Sequence, residues 1–435
     1  MSFLDLQLDP RILQAVEAAG FKAPSEIQRQ AIPVAMAGRD LMASAQTGTG
    51  KTAAFVLPAL QRLLEPSASP SRGPRVLVLT PTRELAVQIT AAVQQFSRNL
   101  RLRFGAIVGG VPYPPQEKLL RAPLDFLIAT PGRLIDHMDR GRLDFSRLEL
   151  LVLDEADRML DMGFVDDVER IAQATPKQRQ TLLFSATLEG DIEKIARRLL
   201  REPARVQIDG IKTRHESITQ SVYQADGIKH KHALISHLLQ APEVSQAIVF
   251  MSTKRGADQL ATTLSDSGLS AAALHGDMNQ GARNRTVEKL RNRRVQILVA
   301  TDVAARGLDV RGISHVINFD LPMKPEDYVH RIGRTGRGGD VGIAASLVGP
   351  EEWHQLARIE RLTGQRLERN VIPGLEPTRP LNTNSKPGAP AARRNDGPRR
   401  APHRSSTTSH TEERKPKVFV RYKSPSAKPR ARTGE

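Results

Sequence analysis

The sequence predicts an α/β protein: two successive parallel sheets, then a basic, disordered C-terminal tail. Three observations carry that expectation. Short runs rich in Val, Ile and Leu alternate with helical patterns, the runs fall into two series around a polar stretch, and the composition changes after about Pro377. Near-continuous apolar strands separated by helices belong to parallel sheets covered on both faces. In such sheets ligands sit outside the carboxyl ends of the strands, so the residues after each run are where chemistry is expected.

The first series contains Val76–Leu79, Phe126–Ile128, Leu150–Leu153 and Leu182–Phe184, and the second Ile248–Phe250, Ile297–Val299 and Val316–Asn318. Between them Asp209–Glu216 reads DGIKTRHE, without apolar periodicity. The expected division is therefore a first domain over 1–208, a linker over 209–216, a second domain over 217–370 and a tail over 371–435. No short-period repeat is evident. Residues 379–435 carry 15 Lys or Arg against 4 Asp or Glu, which is +11 of the chain's net +17. Few bulky apolar residues accompany them, so the segment cannot offset its ordering entropy. Within it KVFVRYK interleaves Phe419 and Tyr422 with cations, which suits stacking on unpaired bases. The plainer reading of the tail is a solubilising linker.

The 435 residues are 39% hydrophobic, enough for two domains with cores of their own. The net charge suggests a polyanionic partner, nucleic acid before membrane. The absence of cysteine excludes disulfide partners, thiolate metal sites and thiol catalysis. Asp5 and Asp9 stand where a signal peptide needs a basic start and an apolar run, and no apolar stretch approaches the roughly 20 residues that span a bilayer. A cytoplasmic chain without a membrane partner is expected.

Two motifs carry the first chemical inference. Ala43–Thr52 reads ASAQTGTGKT, which fits the phosphate-binding pattern G-x-x-x-x-G-K-[ST] except that Ala45 replaces the first glycine. Backbone N–H groups at Gly48–Lys51 would cradle phosphates at a helix N-terminus, with Lys51 reaching the β and γ phosphates and Thr52 holding Mg²⁺. A glycine-rich turn is often no more than a turn. The run Leu150–Leu153, however, delivers Asp154-Glu155-Ala156-Asp157, where one carboxylate can hold a metal while its neighbour orients water. A solvated acidic turn would explain that element alone; the two together favour a nucleotide triphosphatase.

The ordered set is longer. Gly20-Phe21 and Pro24-Ser25-Glu26-Ile27-Gln28 precede AQTGTGKT (Ala45–Thr52), followed by PTRELA (Pro81–Ala86), Gly109-Gly110, TPGR (Thr130–Arg133), DEAD (Asp154–Asp157), SAT (Ser185–Thr187), IVFMST (Ile248–Thr253), ATDVAARGLD (Ala300–Asp309) and HRIGRTGR (His330–Arg337). In this order the chain resembles a DEAD-box ATP-dependent RNA helicase of superfamily 2, whose phosphate loop begins with Ala. The early start and GRDLMASAQTGTGKT most resemble the bacterial RhlE-type subgroup. The resemblance implies two tandem RecA-like domains, the first opening with a Q motif region over 1–29, and an RNA-stimulated ATPase that locally unwinds short duplexes or remodels RNA–protein complexes.

It also implies roles. Ala45, Gln46, Thr47, Gly48, Thr49, Gly50, Lys51 and Thr52 form the phosphate loop. Gln28 matches the adenine reader, whose amide complements adenine's N6 and N7 and refuses guanine. Phe3 and Phe21 match aromatic positions near the base, where plain apolar packing reads equally well. Asp154 and Thr52 bind Mg²⁺, and Glu155 positions and deprotonates the attacking water. Asp157, Ser185 and Thr187 form a hydrogen-bonded link between hydrolysis and domain position. Arg334 and Arg337 match the arginine fingers, Asp309 the ribose contact and His330 the link to the γ-phosphate region. RNA contacts are expected from Arg83, Gly109, Gly110, Thr130, Gly132 and Arg133 in the first domain, and from Thr253, Gln280, Arg283 and Thr301 in the second. Few of these residues can read base edges, so low sequence specificity is expected. The implied cofactors are ATP and Mg²⁺, the partner is single-stranded or short duplex RNA, and ribosome assembly, RNA decay and cold adaptation are all compatible settings.

Overall fold

Leu150–Leu153 shows how the strands arise: four apolar residues in a row, two for each face of a sheet that is covered on both sides. The computed structural model describes residues 2–45, 48–67, 69–188, 190–208, 217–305, 308, 310, 312–336 and 341–378. The first sheet contains β1 (Leu41–Ser44), β2 (Val76–Leu79), β3 (Phe104–Ile107), β4 (Phe126–Ala129), β5 (Leu150–Leu153), β6 (Gln180–Ser185) and β7 (Ala204–Gln207). The second contains β8 (Ile218–Gln224), β9 (Ala247–Met251), β10 (Ala271–Leu274), β11 (Ile297–Thr301), β12 (His315–Asn318), β13 (Gly342–Val348) and β14 (Glu368–Asn370).

The first sheet runs β3-β4-β2-β5-β6-β1-β7 and the second β10-β11-β9-β12-β13-β8-β14, and every described pairing is parallel. Subtracting seven from each number of the second order reproduces the first. The chain therefore repeats one topology twice, a duplication too divergent to show as sequence periodicity.

Alternate residues of the central strands face two separate cores. Val76, Val78, Leu150 and Val152 pack with Phe55, Ile89 and Phe184 on one side, and Leu77, Leu79, Leu151 and Leu153 pack with Leu134, Met159 and Ile171 on the other. The helix Lys51–Leu63 buries ten side chains, so it lies inside the first face rather than on the surface. The second sheet is sandwiched in the same way, with Val249, Val299 and Ile317 opposite Ile248, Leu298 and Val316.

The linker stretch 209–216 and the basic segment from 379 onward, with Phe419 and Tyr422, lie outside the described residues. The second packed body extends past the boundary expected at 370. Ile372 enters its core, Leu375 packs against it, and Thr378 donates from backbone N and Oγ1 to Asp226 Oδ2 at 2.8 and 2.9 Å. Among the described residues no helix is long and apolar enough to cross a membrane.

Candidate active site at the seam of the two sheets

The order of the first sheet sorts its motifs. β5, β6 and β1 are neighbours and are followed by Asp154, Ala186 and Ala45, while β3, β4 and β2 are neighbours and end near Gly109, Thr130 and Arg83. One half of the sheet edge thus gathers the residues read as nucleotide-binding, and the other gathers those read as RNA-binding.

On the nucleotide half, β1 leads into Ala45, which is buried and whose N–H donates to Ser185 O at 3.2 Å. Ser44 Oγ donates to Ala186 O at 2.8 Å, so the loop is fastened to the end of β6. Gly50 caps the helix Lys51–Leu63 at φ +94°, and a Cβ there would lie 2.3 Å from Gln28 Nε2. Only glycine fits both the backbone and the space. Gln28 is buried; its carbonyl accepts from Ser25 N at 2.9 Å and its amide donates to Gly50 O at 3.0 Å. One amide hydrogen and one lone pair remain for a base. Gly48 and Thr49 complete the described part of the loop, Lys51 is buried, and Thr52 occupies the first helical turn. Gln46 and Thr47 lie outside the described residues. Phe3 is buried edge-on to Phe21 at 6.3 Å, and Phe21 meets Phe96 at 5.5 Å, the geometry of an apolar anchor for the N-terminus.

Asp154 is 3% exposed, and its Oδ1 accepts from Glu155 N at 3.1 Å. Burial pushes its carboxyl up to about 7; nearby Lys51 opposes the rise and Glu155 adds to it. Glu155 adopts a left-handed backbone, φ +52°, at the strand-to-helix turn. Its Oε2 is buried 3.4 Å from Arg158 Nε without hydrogen-bond geometry, leaving both atoms without a hydrogen-bond partner among the described residues. A buried carboxylate oxygen with open lone pairs is a competent acceptor for a water proton.

The second lobe closes over this edge. Asp157 Oδ2 accepts from Ala186 N at 3.4 Å and lies 3.8 Å from His330 Nε2 of the other lobe. Burial raises the Asp157 carboxyl, but His330, with Lys51 and Arg158, outweighs that and holds it well below the usual range. Burial and the charge of Arg158 depress His330. Ser185 Oγ accepts from Thr187 N at 3.3 Å, so the expected link runs through the Ala186 backbone between them. His330 shares a crevice with Arg334, Arg331 and Arg158. Arg334 is buried, and one of its guanidinium nitrogens donates to Leu308 O at 2.7 Å. Asp309 and Arg337 lie outside the described residues.

On the RNA half, Arg83 and Gln280 meet across the seam, Nη1 to Oε1 at 2.9 Å, and Arg283 grips Glu84 at 2.7 and 3.2 Å. The Arg83 guanidinium lies against Gly110, φ +71°, where a Cβ would come within 1.9 Å of Nη1. Thr130 Oγ1 accepts from Gly109 N at 3.4 Å and Thr253 Oγ1 from Gly256 N at 3.0 Å. Both hydroxyls keep their own proton for a phosphate or sugar oxygen. A Cβ on Gly132 would meet open space, and Thr301 is buried at the end of β11. Arg133 donates to Val111 O at 2.7 Å and stacks on Tyr113 at 4.3 Å, with Arg140 over the same ring at 3.9 Å.

Several participants were given no role by the sequence, some of them inside the motifs and others outside them. Glu84, Asp161 and Lys324 bridge the lobes, Arg158 faces Glu155, and Tyr113 holds Arg133. Arg331 forms a bidentate pair with Asp302 at 2.6 Å, donates to Asn318 Oδ1 at 3.0 Å and Asp320 O at 2.6 Å, and covers Phe250. It binds together the ends of β9, β11 and β12. Charge complementarity across a seam can be seen only once the lobes are placed.

Comparison with known proteins gives consistent likenesses. Residues 25–195 match the DEAD/DEAH box helicase family model and residues 230–339 match the helicase conserved C-terminal domain. The chain is 45% identical over 377 residues to the ATP-dependent RNA helicase SrmB of Escherichia coli, covering 86% of this chain and 85% of that protein. It is 46% identical over 376 residues to the ATP-dependent RNA helicase DeaD of the same organism, covering 86% of this chain and 59% of that longer protein. Among solved structures, Saccharomyces cerevisiae Dbp5 bound to RNA and ADP BeF3 superimposes with a TM-score of 0.77 at 31% identity, over 85% of this chain and 95% of that one.

Proposed function

The chain belongs to the DEAD/DEAH box helicase family, and from that premise we propose that its seam is a two-lobe clamp on ATP and RNA. The protein is an RNA-dependent ATPase that hydrolyses ATP and locally unwinds RNA. The observation that carries the clamp is the pairing across the seam: Asp157, two residues after Glu155, faces His330, four residues before Arg334. Hydrolysis and lobe position are thereby tied to one contact.

In this reading Lys51 and the N–H groups of the phosphate loop hold the triphosphate, Gln28 selects adenine, and Glu155 takes the proton of the attacking water. Arg334 and Arg337 stabilise charge on the phosphoryl oxygens from the opposite side; such fingers contribute about 10³–10⁵ in rate. Arg83, Gly109, Gly110, Thr130, Gly132, Arg133, Thr253, Gln280, Arg283 and Thr301 line the RNA path. Because ATP and RNA both favour the closed arrangement, each raises affinity for the other. A duplex cannot follow the RNA path across both lobes, so a few base pairs separate locally, and hydrolysis reopens the clamp.

The residues suit Mg²⁺. Asp154 is a buried carboxyl balanced in part by Lys51 and the Glu155 N–H, Thr52 offers a hydroxyl, and among the described residues no cluster of three or more acids or histidines forms a metal cage. Mg²⁺ does not need such a cage, since it binds through one or two carboxylates plus substrate phosphates. Bound there, it would neutralise phosphate charge, while Asp154 and Thr52 fix its place.

Finer assignments complete the reading: a first lobe over 1–208, a linker over 209–216, a second lobe from 217 that runs past the expected 370 to about 378, a basic tail that adds RNA affinity, an RhlE-type subgroup, and a cytoplasmic role in ribosome assembly or RNA decay. RNA crosslinking in cells, with the unsubstituted chain and Glu155→Gln, tests the last of these. The clamp itself is tested by steady-state ATP hydrolysis with single-stranded RNA, with DNA and without nucleic acid. RNA should stimulate turnover, DNA should not, and Glu155→Gln should bind both ligands yet turn over at least a hundredfold more slowly, the general-base range. Rapid turnover by that variant would remove Glu155 from the chemistry.

A further inference from the structure

We propose that the exposed side of the helix Gln280–Arg291, with the turn after it, is a track for duplex RNA adjoining the single-stranded segment at the seam. Arg285, Lys289 and Arg293 are its phosphate contacts. The proposal rests on the reading that Gln280 and Arg283 border the RNA path.

Residues 283–294 read RNRTVEKLRNRR, six cations with Glu288 as the one acid. Leu290 is the helix's one buried residue, and Arg285, Lys289, Arg293 and Arg294 are all exposed. Arg285 and Lys289 are four residues apart, one turn above the other, and Arg293 follows after another four. Like charges at that spacing repel and weaken an isolated helix. The ion pairs of this region among the described residues are Arg283–Glu84, Lys254–Asp277 and His275–Asp258, and none includes Arg285, Lys289 or Arg293.

A solvated, dipole-compensating helix end is the plainer account. It explains Lys289 and Arg291, which lie in the last turn where the helix dipole favours cations. It does not explain Arg285, near the first turn. Nor does it explain Arg293, which holds a left-handed backbone at φ +56° where glycine would sit without strain. A guanidinium kept at a position that suits glycine points to a use for its charge.

Placement supplies the partner. The helix begins at Gln280, which meets Arg83 across the seam, and Arg283 meets Glu84. At 1.5 Å per residue, Lys289 stands about 14 Å beyond Gln280, a reach of about four stacked nucleotides. The line of charge thus starts at the RNA path and leads away from it. Residues 280–294 contain no Phe, Tyr or Trp. Single-strand platforms combine cations with aromatic rings, whereas a duplex offers its phosphates and no exposed base faces. Cations without aromatics match the duplex, and they read no sequence.

The test uses the full chain with Arg285→Gln, Lys289→Gln and Arg293→Gly combined. The last substitution removes a charge while easing the backbone, so lost binding cannot be ascribed to a damaged turn. Affinity is measured for a single-stranded RNA that fills the seam and for the same strand continued into a duplex. We expect about tenfold weaker binding of the duplex-continued RNA, with the slope of log affinity against log salt reduced by about 2 to 3. The single strand should bind within twofold of the unsubstituted chain. Unchanged affinity and slope for the duplex-continued RNA would overturn the proposal, as would equal losses on both RNAs. Single-strand-stimulated ATP hydrolysis, followed in both chains, separates either result from a failure of the clamp reading.

Discussion

Asp154→Asn should stabilise the nucleotide-free protein while abolishing hydrolysis, and the gain should depend on pH in a defined direction. The Asp154 carboxyl is buried, and burial raises it from 3.8 to about 7. An acid whose folded value is raised binds its proton more tightly in the folded chain. Stability therefore falls as pH rises from about 4 to about 7 and is level above that. Asparagine keeps the shape but has no proton to lose. A rise of about three units corresponds to a ceiling of about 4 kcal/mol, and water entering the cleft reduces it, so about 1–3 kcal/mol is expected at pH 8. Near pH 4 the two proteins should be equally stable. Urea unfolding without nucleotide, following the first lobe, measures both. With ATP and Mg²⁺ present, the parent should recover the difference, because ligand binding to its folded form adds stability that the variant loses. A gain that is the same at pH 4 and pH 8, or no gain at pH 8, would show that the carboxyl is not desolvated in the free protein.

Three further outcomes follow from particular contacts. Glu84→Gln and Arg283→Gln should each weaken RNA-stimulated hydrolysis, and the double variant should lose less than the sum, with a coupling of about 1–3 kcal/mol in a double-mutant cycle on RNA affinity; strict additivity would mean that the pair does not form in the active state. Gly50→Ala places a Cβ against Gln28 in a left-handed backbone, which should cost about 1–3 kcal/mol and weaken ATP binding; an unchanged melting temperature and ATP affinity would contradict this loop geometry. Arg331→Met leaves Asp302 and Asn318 without their partner, which should destabilise the second lobe by about 3–5 kcal/mol; an unaltered unfolding midpoint would show that the cluster is not a structural tie.

What the sequence revealed depended on burial. β2 and β5 occupy the segments expected from their Val and Leu runs, because both faces of a central strand must be apolar. β10 reads AAAL, with only Leu274 buried, and the edge strand β7 reads ARVQ, with only Val206 buried, so neither shows a run rich in Val, Ile and Leu. β14 is three polar residues, held as a strand by its pairing to β8. Within the site, the phosphate loop and the acidic run were legible because their chemistry lies in consecutive residues. Arg83 with Gln280 and Glu84 with Arg283 were not, since each pair is separated by nearly two hundred residues and meets only when the lobes do. Ala45 was legible as a departure from the pattern. It is buried, and its backbone N–H is fastened to the end of β6.

The Arg331 cluster bears on how the machine would behave when watched one molecule at a time. On the clamp reading, with the ends of three strands tied to the Arg331 guanidinium, Arg334 would reach the triphosphate by displacement of a whole sheet rather than by loosening of its own turn. Turnover should then look binary, with long pauses and abrupt transitions. A poorly matched nucleotide would lengthen the pauses rather than soften the steps.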